Sequence, residues 1–165
     1  MQNWQSQAKV LHIEPTSKCN LACPQCQRTI GLPFFDHTKH TQDLNVEQIK
    51  SLCPEFWIKQ LHKVFMCGNF GEPAASLNVL DIYKYFRSIN NNITLGINTN
   101  GSLRNTNWWK KLAELFNQKL DYAVFAIDGG PDSNHIYRVN ANFNKIIENA
   151  TAYIDAGGSA HWDML

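Results

Sequence analysis

The sequence predicts an α/β fold in which parallel strands are joined by helical crossovers. Segments typical of strands and of helices alternate along the whole chain. Successive strand segments lie about 30 or more residues apart, which is the size of one βαβ unit. This alternation builds either an open doubly wound sheet or part of a barrel. In both architectures, ligands bind at the carboxyl ends of the strands.

Five segments are predicted to be strands. Each is a short apolar run that proline, glycine or polar turn residues close. They are KVLHIEP (9–15), KVFMCG (63–68), ITLGINTNG (93–101), DYAVFAIDGG (121–130) and SAHWDML (159–165), the last being the opening of a fifth strand.

Four longer segments carry apolar residues at helical spacing. Asn45 is predicted to cap the first of them, and Pro54 to break or restart it. The four segments cover 45–61, 76–89, 106–118 and 143–158.

Two of these helices have predicted packing faces. In the second, one apolar row is formed by Leu77, Leu80, Tyr83 and Phe86. In the third, the adjacent Trp108 and Trp109 are predicted to pack rather than to form a nucleobase platform.

Length and composition limit the class of protein. The 165 residues predict one domain, covering 1–165, and 44% hydrophobic with 18% charged residues is ordinary for a globular chain. A net charge of +1 gives no general attraction to nucleic acid or to anionic membranes. With no secretory signal and no long apolar run, we expect a cytoplasmic protein without membrane association. In that reducing compartment, its five cysteines are expected to be free, metal-bound or catalytic.

Three cysteines follow the first predicted strand, in SKCNLACPQC (17–26). Thiolates of Cys19, Cys23 and Cys26 could hold three irons of a cubane cluster and leave the fourth iron open. A structural zinc ion would need a fourth protein ligand, such as Cys53, Cys67 or a histidine, and none has the paired spacing of zinc motifs. Three unligated core cysteines are the remaining alternative.

Motifs also follow the next three strands. They are GNFGEP (68–73), TNGS (99–102) and AIDGGPDSNHIYR (126–138). With the C-x-x-x-C-x-x-C loop before them, this ordered set resembles the radical SAM superfamily over nearly the whole chain. The resemblance implies a partial (β/α) barrel that binds a [4Fe–4S] cluster and S-adenosylmethionine (SAM). It implies an enzyme that reductively cleaves SAM to a 5′-deoxyadenosyl radical for hydrogen abstraction.

The resemblance also assigns site residues. Cys19, Cys23 and Cys26 would ligate the cluster. Gly71 and Glu72 would receive the amino group of SAM, and Arg138 would pair with its carboxylate. The position that matches the family's ribose-binding serine is Ala126, so Asn98, Asn100 or Asp128 would have to bind the ribose. We take Asn100 and Asp128 as the candidates, although Asp128 could equally cap its turn. An electron donor such as flavodoxin or ferredoxin would be a partner. The resemblance leaves the substrate open between a peptide and a small molecule, and the motifs resemble most those of relatives that modify peptides.

Several features depart from the family pattern. Gln25 stands where an aromatic residue usually precedes the third cysteine, and Ala126 replaces a ribose-binding serine. Only five of the family's six strands can be counted, so we expect a barrel that is incomplete at its C-terminus. The alternative function is therefore a truncated, non-catalytic iron–sulfur remnant or a subunit that a partner completes. His37 and His40 are expected in a loop that covers the site, with a solvated loop as the equal alternative.

Overall fold

The computed structural model describes residues 7–31 and 43–165. Its centre is a five-stranded sheet in the order β1-β2-β3-β4-β5, and every neighbouring pair is parallel. Crossovers that contain helices join the strands, so the predicted α/β architecture is confirmed. The strands are β1 (Val10–Ile13), β2 (Lys63–Met66), β3 (Thr94–Thr99), β4 (Tyr122–Ala126) and β5 (Ala160–Asp163).

Seven α-helices are described, together with a 3₁₀ helix at Pro73–Ala75. The helices are α1 (Gln27–Ile30), α2 (Val46–Leu52), α3 (Glu55–Ile58), α4 (Val79–Ile89), α5 (Thr106–Leu115), α6 (Asn134–Tyr137) and α7 (Phe143–Asp155). Within the described residues, the three longest helices are α4, α5 and α7, and they supply most of the helical side chains in the core.

The core lies between one face of the sheet and these helices. Successive strand side chains point to opposite faces, and alternate residues such as Val64 and Met66 are fully buried. From the helices, Trp109 packs against Phe125 of β4 and against Tyr153 of α7. The predicted packing role of Trp109 is confirmed, because its side chain is completely buried.

The segment 45–61 forms two short helices. The Asn45 side chain accepts a hydrogen bond from the Gln48 N–H, and the Gln48 side chain accepts one from the Asn45 N–H. This capping box fixes the start of α2. Pro54 caps α3, so the predicted cap and the predicted break are both confirmed.

The predicted helix 76–89 begins later than expected. The Ser76 hydroxyl accepts a hydrogen bond from the Asn78 N–H, which forms a local turn, and α4 starts at Val79. Leu77 therefore precedes the helix and is 76% exposed, so its predicted place in the helix was wrong. Tyr83 and Phe86 lie in the helix as predicted, and both are fully buried.

No helix in the described part of the chain is both long enough and apolar enough to cross a bilayer.

Candidate functional site

A cavity of about 220 Å³ opens at the carboxyl ends of the strands. It is lined by the loops that follow each of the first four strands and by the end of β5. The three cysteines of the predicted cluster line it, as do four of the five residues predicted to bind SAM. These residues are Cys19, Cys23, Cys26, Gly71, Glu72, Asn100 and Arg138.

The cysteine loop (residues 17–26) is held by short backbone hydrogen bonds. Its last turn closes where the Cys26 N–H donates to the Cys23 carbonyl over 3.0 Å, and Cys26 then caps α1. The Ala22 N–H donates to the Val139 carbonyl over 3.1 Å, which ties the loop to the segment after α6. The loop therefore has a fixed position relative to β4 and α6.

Two of the three sulfurs accept N–H donors. The Cys19 Sγ lies 3.3 Å from the Leu21 backbone nitrogen and 3.8 Å from the Asn100 Nδ2. The Cys23 Sγ lies 3.9 Å from Arg138 Nη1. Donors of this kind stabilise negative sulfur, and they surround the thiolate ligands of iron–sulfur clusters. The arrangement fits a cluster bound through these cysteines.

The thiols surround a cavity instead of converging on one point. Within residues 7–31 and 43–165, no three His, Cys, Asp or Glu side chains lie close enough together to hold a single metal ion. A cubane takes one thiolate at each of several irons, so it needs spread ligands around a cavity. Burial raises the pKa of the Cys19 thiol, but a coordinated metal deprotonates a thiol outright.

Gly71 allows the loop after β2 to pack directly on the cysteine loop. A Cβ atom at Gly71 would lie 1.9 Å from the Thr16 carbonyl oxygen, so only glycine fits this approach. The next residue, Glu72, donates its backbone N–H to the Lys18 carbonyl over 2.7 Å. The two motifs are thus joined backbone to backbone, although Lys18 and Glu72 lie 54 positions apart in the sequence.

The carboxylate of Glu72 is buried and faces three protein donors. Its Oε1 accepts from the Thr99 hydroxyl over 2.5 Å and from the Ala74 N–H over 3.1 Å, while its Oε2 accepts from the Asn100 N–H over 2.8 Å. Burial raises the pKa of Glu72, and the three hydrogen bonds oppose that shift. Since a carboxylate offers about four acceptor positions, one remains for a ligand.

Asn100 links the turn after β3 to the cysteine loop. Its Nδ2 donates to the Asn20 side chain over 3.1 Å and reaches the Cys19 sulfur, and its Oδ1 accepts from the Ser102 N–H and hydroxyl. Its predicted ribose contact stays a prediction.

Asp128 and Arg138 form a buried ion pair beside the cysteines. Asp128 Oδ2 accepts from Arg138 Nε, and only 5% of the aspartate side chain and 16% of the arginine side chain are exposed. Asp128 is not among the residues that line the cavity, whereas Arg138 is. Sequence reasoning named both residues but did not pair them.

Sequence reasoning missed further residues of the cavity wall. Arg28, Tyr137 and Asp163 line it, and Arg28 brings a second guanidinium close to the cysteines. Arg28 lies in α1 and Tyr137 in α6, two short helices that apolar periodicity does not predict. Asp163 is the last residue of β5. Their proximity to known motif residues was the only available signal.

The remaining candidates have varied positions. Cys67 lines the cavity, while Cys53 is buried at the end of α2 and does not line it. Gln25 is exposed, and Ala126 lines the cavity with no hydroxyl to offer. His37 and His40 lie outside the described residues.

Below the cavity, the open face of the sheet carries a row of rings. His12, Phe65, Gly96 and Tyr122 are in register on four adjacent strands. The His12 ring stacks on Phe65 with centroids 4.7 Å apart. The Lys63 ammonium lies 5.1 Å from the Phe65 ring centroid and 4.7 Å from that of Tyr122. This row, with Lys63, forms the aromatic floor.

Comparison of the sequence with protein-family models identifies the family. The model described as the radical SAM superfamily matches residues 13–165, which includes every motif residue considered above. The chain belongs to the radical SAM superfamily. The predicted resemblance and the partial-barrel fold are therefore confirmed, and the predicted cofactors, a [4Fe–4S] cluster and SAM, are those of this enzyme superfamily.

Individual relatives agree with this membership. The GTP 3′,8-cyclase of Limosilactobacillus fermentum is 34% identical over 91 residues, which cover 55% of this chain and 26% of that protein. A tungsten-containing aldehyde ferredoxin oxidoreductase cofactor-modifying protein of Pyrococcus furiosus is 27% identical over 129 residues, which cover 78% of this chain and 33% of that protein. The radical SAM chain thus spans about a quarter to a third of the length of these relatives.

A solved structure shares the fold. The crystal structure of Streptococcus suis SuiB bound to precursor peptide SuiA matches with a TM-score of 0.71 at 16% identity, covering 95% of this chain and 33% of SuiB. At that identity, the likeness shows the fold alone.

Proposed function

We propose that this radical SAM chain binds one [4Fe–4S] cluster through Cys19, Cys23 and Cys26, and binds SAM beside it. The cavity that unites the three cysteines with Glu72, Asn100 and Arg138 from three later loops carries the proposal. When bound, the cluster would supply the electron that reductively cleaves SAM to a 5′-deoxyadenosyl radical, which abstracts hydrogen from a substrate.

The residues around the cavity would orient SAM. Glu72 offers its remaining acceptor position to the amino group, and an ammonium partner would offset the cost of burying this carboxylate. Gly71 would support that contact by keeping the loop close to the cysteines. Arg138 would pair with the SAM carboxylate, because a guanidinium suits bidentate recognition of carboxylates.

The proposal also includes an electron donor and a cellular compartment. Cleavage of SAM requires one electron from outside the chain, and a flavodoxin or ferredoxin is the class of partner that would supply it. A cytoplasmic location would keep the thiols reduced and available to iron.

For the substrate, we propose a peptide. The fold is shared with SuiB, whose structure holds a precursor peptide, and the aromatic floor offers rings and one cation to an extended chain below the cavity. The name of the L. fermentum relative makes a nucleotide the competing class. Hydrogen transfer from a bound substrate converts the radical to 5′-deoxyadenosine, so the formation of 5′-deoxyadenosine should rise with a peptide mixture and not with GTP. Stimulation by GTP alone would refute the peptide proposal.

Anaerobic reconstitution tests the cofactor assignment. We expect about four irons per chain and production of 5′-deoxyadenosine from SAM under a strong reductant. Alanine at any one of the three cysteines should abolish both. Cys53→Ala is the matched control, since Cys53 is a buried thiol that does not line the cavity, and it should keep both. Full iron in a variant that lacks all three cysteines would refute the assignment.

The same experiment separates the alternative function. A non-catalytic iron–sulfur remnant would bind the cluster but form no 5′-deoxyadenosine, with or without added protein partners. That result would support the remnant and overturn the catalytic proposal.

A further inference from the structure

The position of Arg138 depends on a carboxylate outside the cavity. Asp128 follows β4, and each of its oxygens accepts one hydrogen bond from the protein: Oδ2 accepts from Arg138 Nε, and Oδ1 accepts from the Leu165 N–H over 2.7 Å. With its side chain 5% exposed and away from the cavity wall, Asp128 is poorly placed to reach a ribose.

The contacts of the Arg138 guanidinium fix its orientation. Its Nε is held by Asp128, and its Nη1 lies 3.9 Å from the Cys23 sulfur. The other terminal nitrogen, Nη2, has no hydrogen-bond acceptor within residues 7–31 and 43–165, and Arg138 lines the cavity. One planar group therefore contacts the aspartate and a cysteine and still has a donor available for a ligand.

Backbone hydrogen bonds hold both Asp128 and Arg138 in place. The Asn134 side chain is fully buried, and its Oδ1 accepts from the Asp128 N–H over 2.9 Å. The Asn134 carbonyl accepts from the Arg138 N–H over 2.8 Å. On the cysteine side, the hydrogen bond from Ala22 to Val139 joins the neighbours of Cys23 and Arg138. The ion pair is thus part of a connected structure that includes the cysteine loop.

We propose that Asp128 is a positioning residue that acts through Arg138, and that it does not bind the ribose of SAM. Asp128 fixes the guanidinium at Nε, so that Nη1 faces Cys23 and Nη2 is presented to the carboxylate of SAM. Asp128 thereby controls affinity for one chemical group of SAM. This inference rests on the proposed function, since it concerns how the same cavity recognises SAM.

Two ligands that differ only in the carboxylate test the inference. SAM and decarboxylated SAM, which lacks that group, would be titrated anaerobically against the reconstituted chain by calorimetry. Asp128→Asn removes the charge and keeps the size, and Arg138→Lys keeps the charge and removes the planar fork. Each should weaken SAM binding about tenfold and change the affinity for decarboxylated SAM by less than about twofold. The double variant should lose no more than either single variant, because the two residues act as one unit.

A second buried ion pair provides the control. Arg87 pairs with the buried Asp121 and also donates to the Ile93 carbonyl, at a site that does not line the cavity. Arg87→Lys disturbs an ion pair of the same type and should leave both ligand affinities unchanged. Iron content would be measured for every variant. If Asp128→Asn does not fold, Asp128→Glu, which keeps the charge but shifts the carboxylate away from Arg138 Nε, tests the inference by the same comparison of SAM with decarboxylated SAM.

The outcomes separate the inference from the proposed function. Equal weakening of SAM and decarboxylated SAM by Asp128→Asn would indicate a ribose contact and overturn the inference. Unchanged affinity for both ligands would also overturn it. In either case, the parent chain still binds SAM and the proposed function stands. A parent chain that binds iron but neither ligand would instead refute the proposed function, and the inference with it.

Discussion

Gly71→Ala tests the close contact between the loop after β2 and the cysteine loop. A Cβ atom at this position would lie 1.9 Å from the Thr16 carbonyl oxygen and 3.1 Å from the Ser17 Cα. Both are backbone atoms, so the loops would have to separate by roughly 1.5 Å to reach ordinary contact. That movement would break the hydrogen bond from the Glu72 N–H to the Lys18 carbonyl.

The expected cost combines two effects. Forcing a methyl group into a packed site costs about 1–3 kcal/mol, and a buried N–H that loses its acceptor costs about 1–3 kcal/mol. We therefore expect the unfolding free energy to fall by about 2–6 kcal/mol, a large share of the stability of a typical domain. Because Glu72 moves with the loop, bound iron and SAM affinity should fall as well.

Urea denaturation of the parent and variant chains measures this cost. Gly130→Ala is the matched control, because a Cβ there meets no atom within 4 Å and the backbone is not left-handed. It should change the unfolding free energy by less than about 0.5 kcal/mol. A Gly71→Ala chain as stable as the control, with full iron, would show that the two loops are not packed as described.

Three further predictions concern the core, a helix start and the buried carboxylate. Trp109→Ala removes a fully buried ring that packs on Phe125, and should lower the unfolding free energy by about 3–5 kcal/mol; a loss below 1 kcal/mol would contradict the packing. Asn45→Ala removes half of the capping box with Gln48 and should cost about 0.5–2 kcal/mol, whereas an unchanged denaturation midpoint would argue against the cap. Because burial raises the pKa of Glu72, the folded chain holds that proton more tightly than the unfolded chain does. Stability should thus decline as pH rises from about 4.3 through the raised folded value, and Glu72→Gln should flatten this decline in denaturation curves recorded across that range. Parallel pH profiles for the parent and Glu72→Gln chains would contradict the assignment.

Local patterns were sufficient to predict the order of the five strands and the longer helices, but not the short helices α1 and α6. Strand ends coincide with glycine or polar turns, and Asn45 and Pro54 mark helix boundaries by their own backbone chemistry. Leu77 shows where such patterns fail, because its spacing matched a helix while the hydroxyl of Ser76 formed a turn just before Asn78. A side chain that competes for a backbone N–H leaves no trace in apolar periodicity.

The residues of the cavity were predictable where a motif names them, but their pairings were not. Asp128 and Arg138 were both identified as ligand contacts, yet the carboxylate of Asp128 is used by Arg138 itself. Gly71 was identified as a SAM contact, and in the structure it also allows close packing, since a Cβ atom there would collide with the Thr16 carbonyl oxygen. Such contacts depend on how distant loops meet in space, which spacing along the chain does not encode. Arg28 belongs to no motif, and its closeness in sequence to Cys26 was the only sign of its place in the cavity wall.

The central claim is that three cysteines hold a cluster whose open iron is reserved for SAM. Electron paramagnetic resonance of the reconstituted, reduced chain before and after addition of SAM tests it most directly. The account predicts the signal of a reduced [4Fe–4S] cluster whose g values shift when SAM is added, and no such signal in Cys23→Ala. A cluster signal that SAM leaves unchanged, or a chain that binds zinc in place of iron after anaerobic purification, would contradict the account.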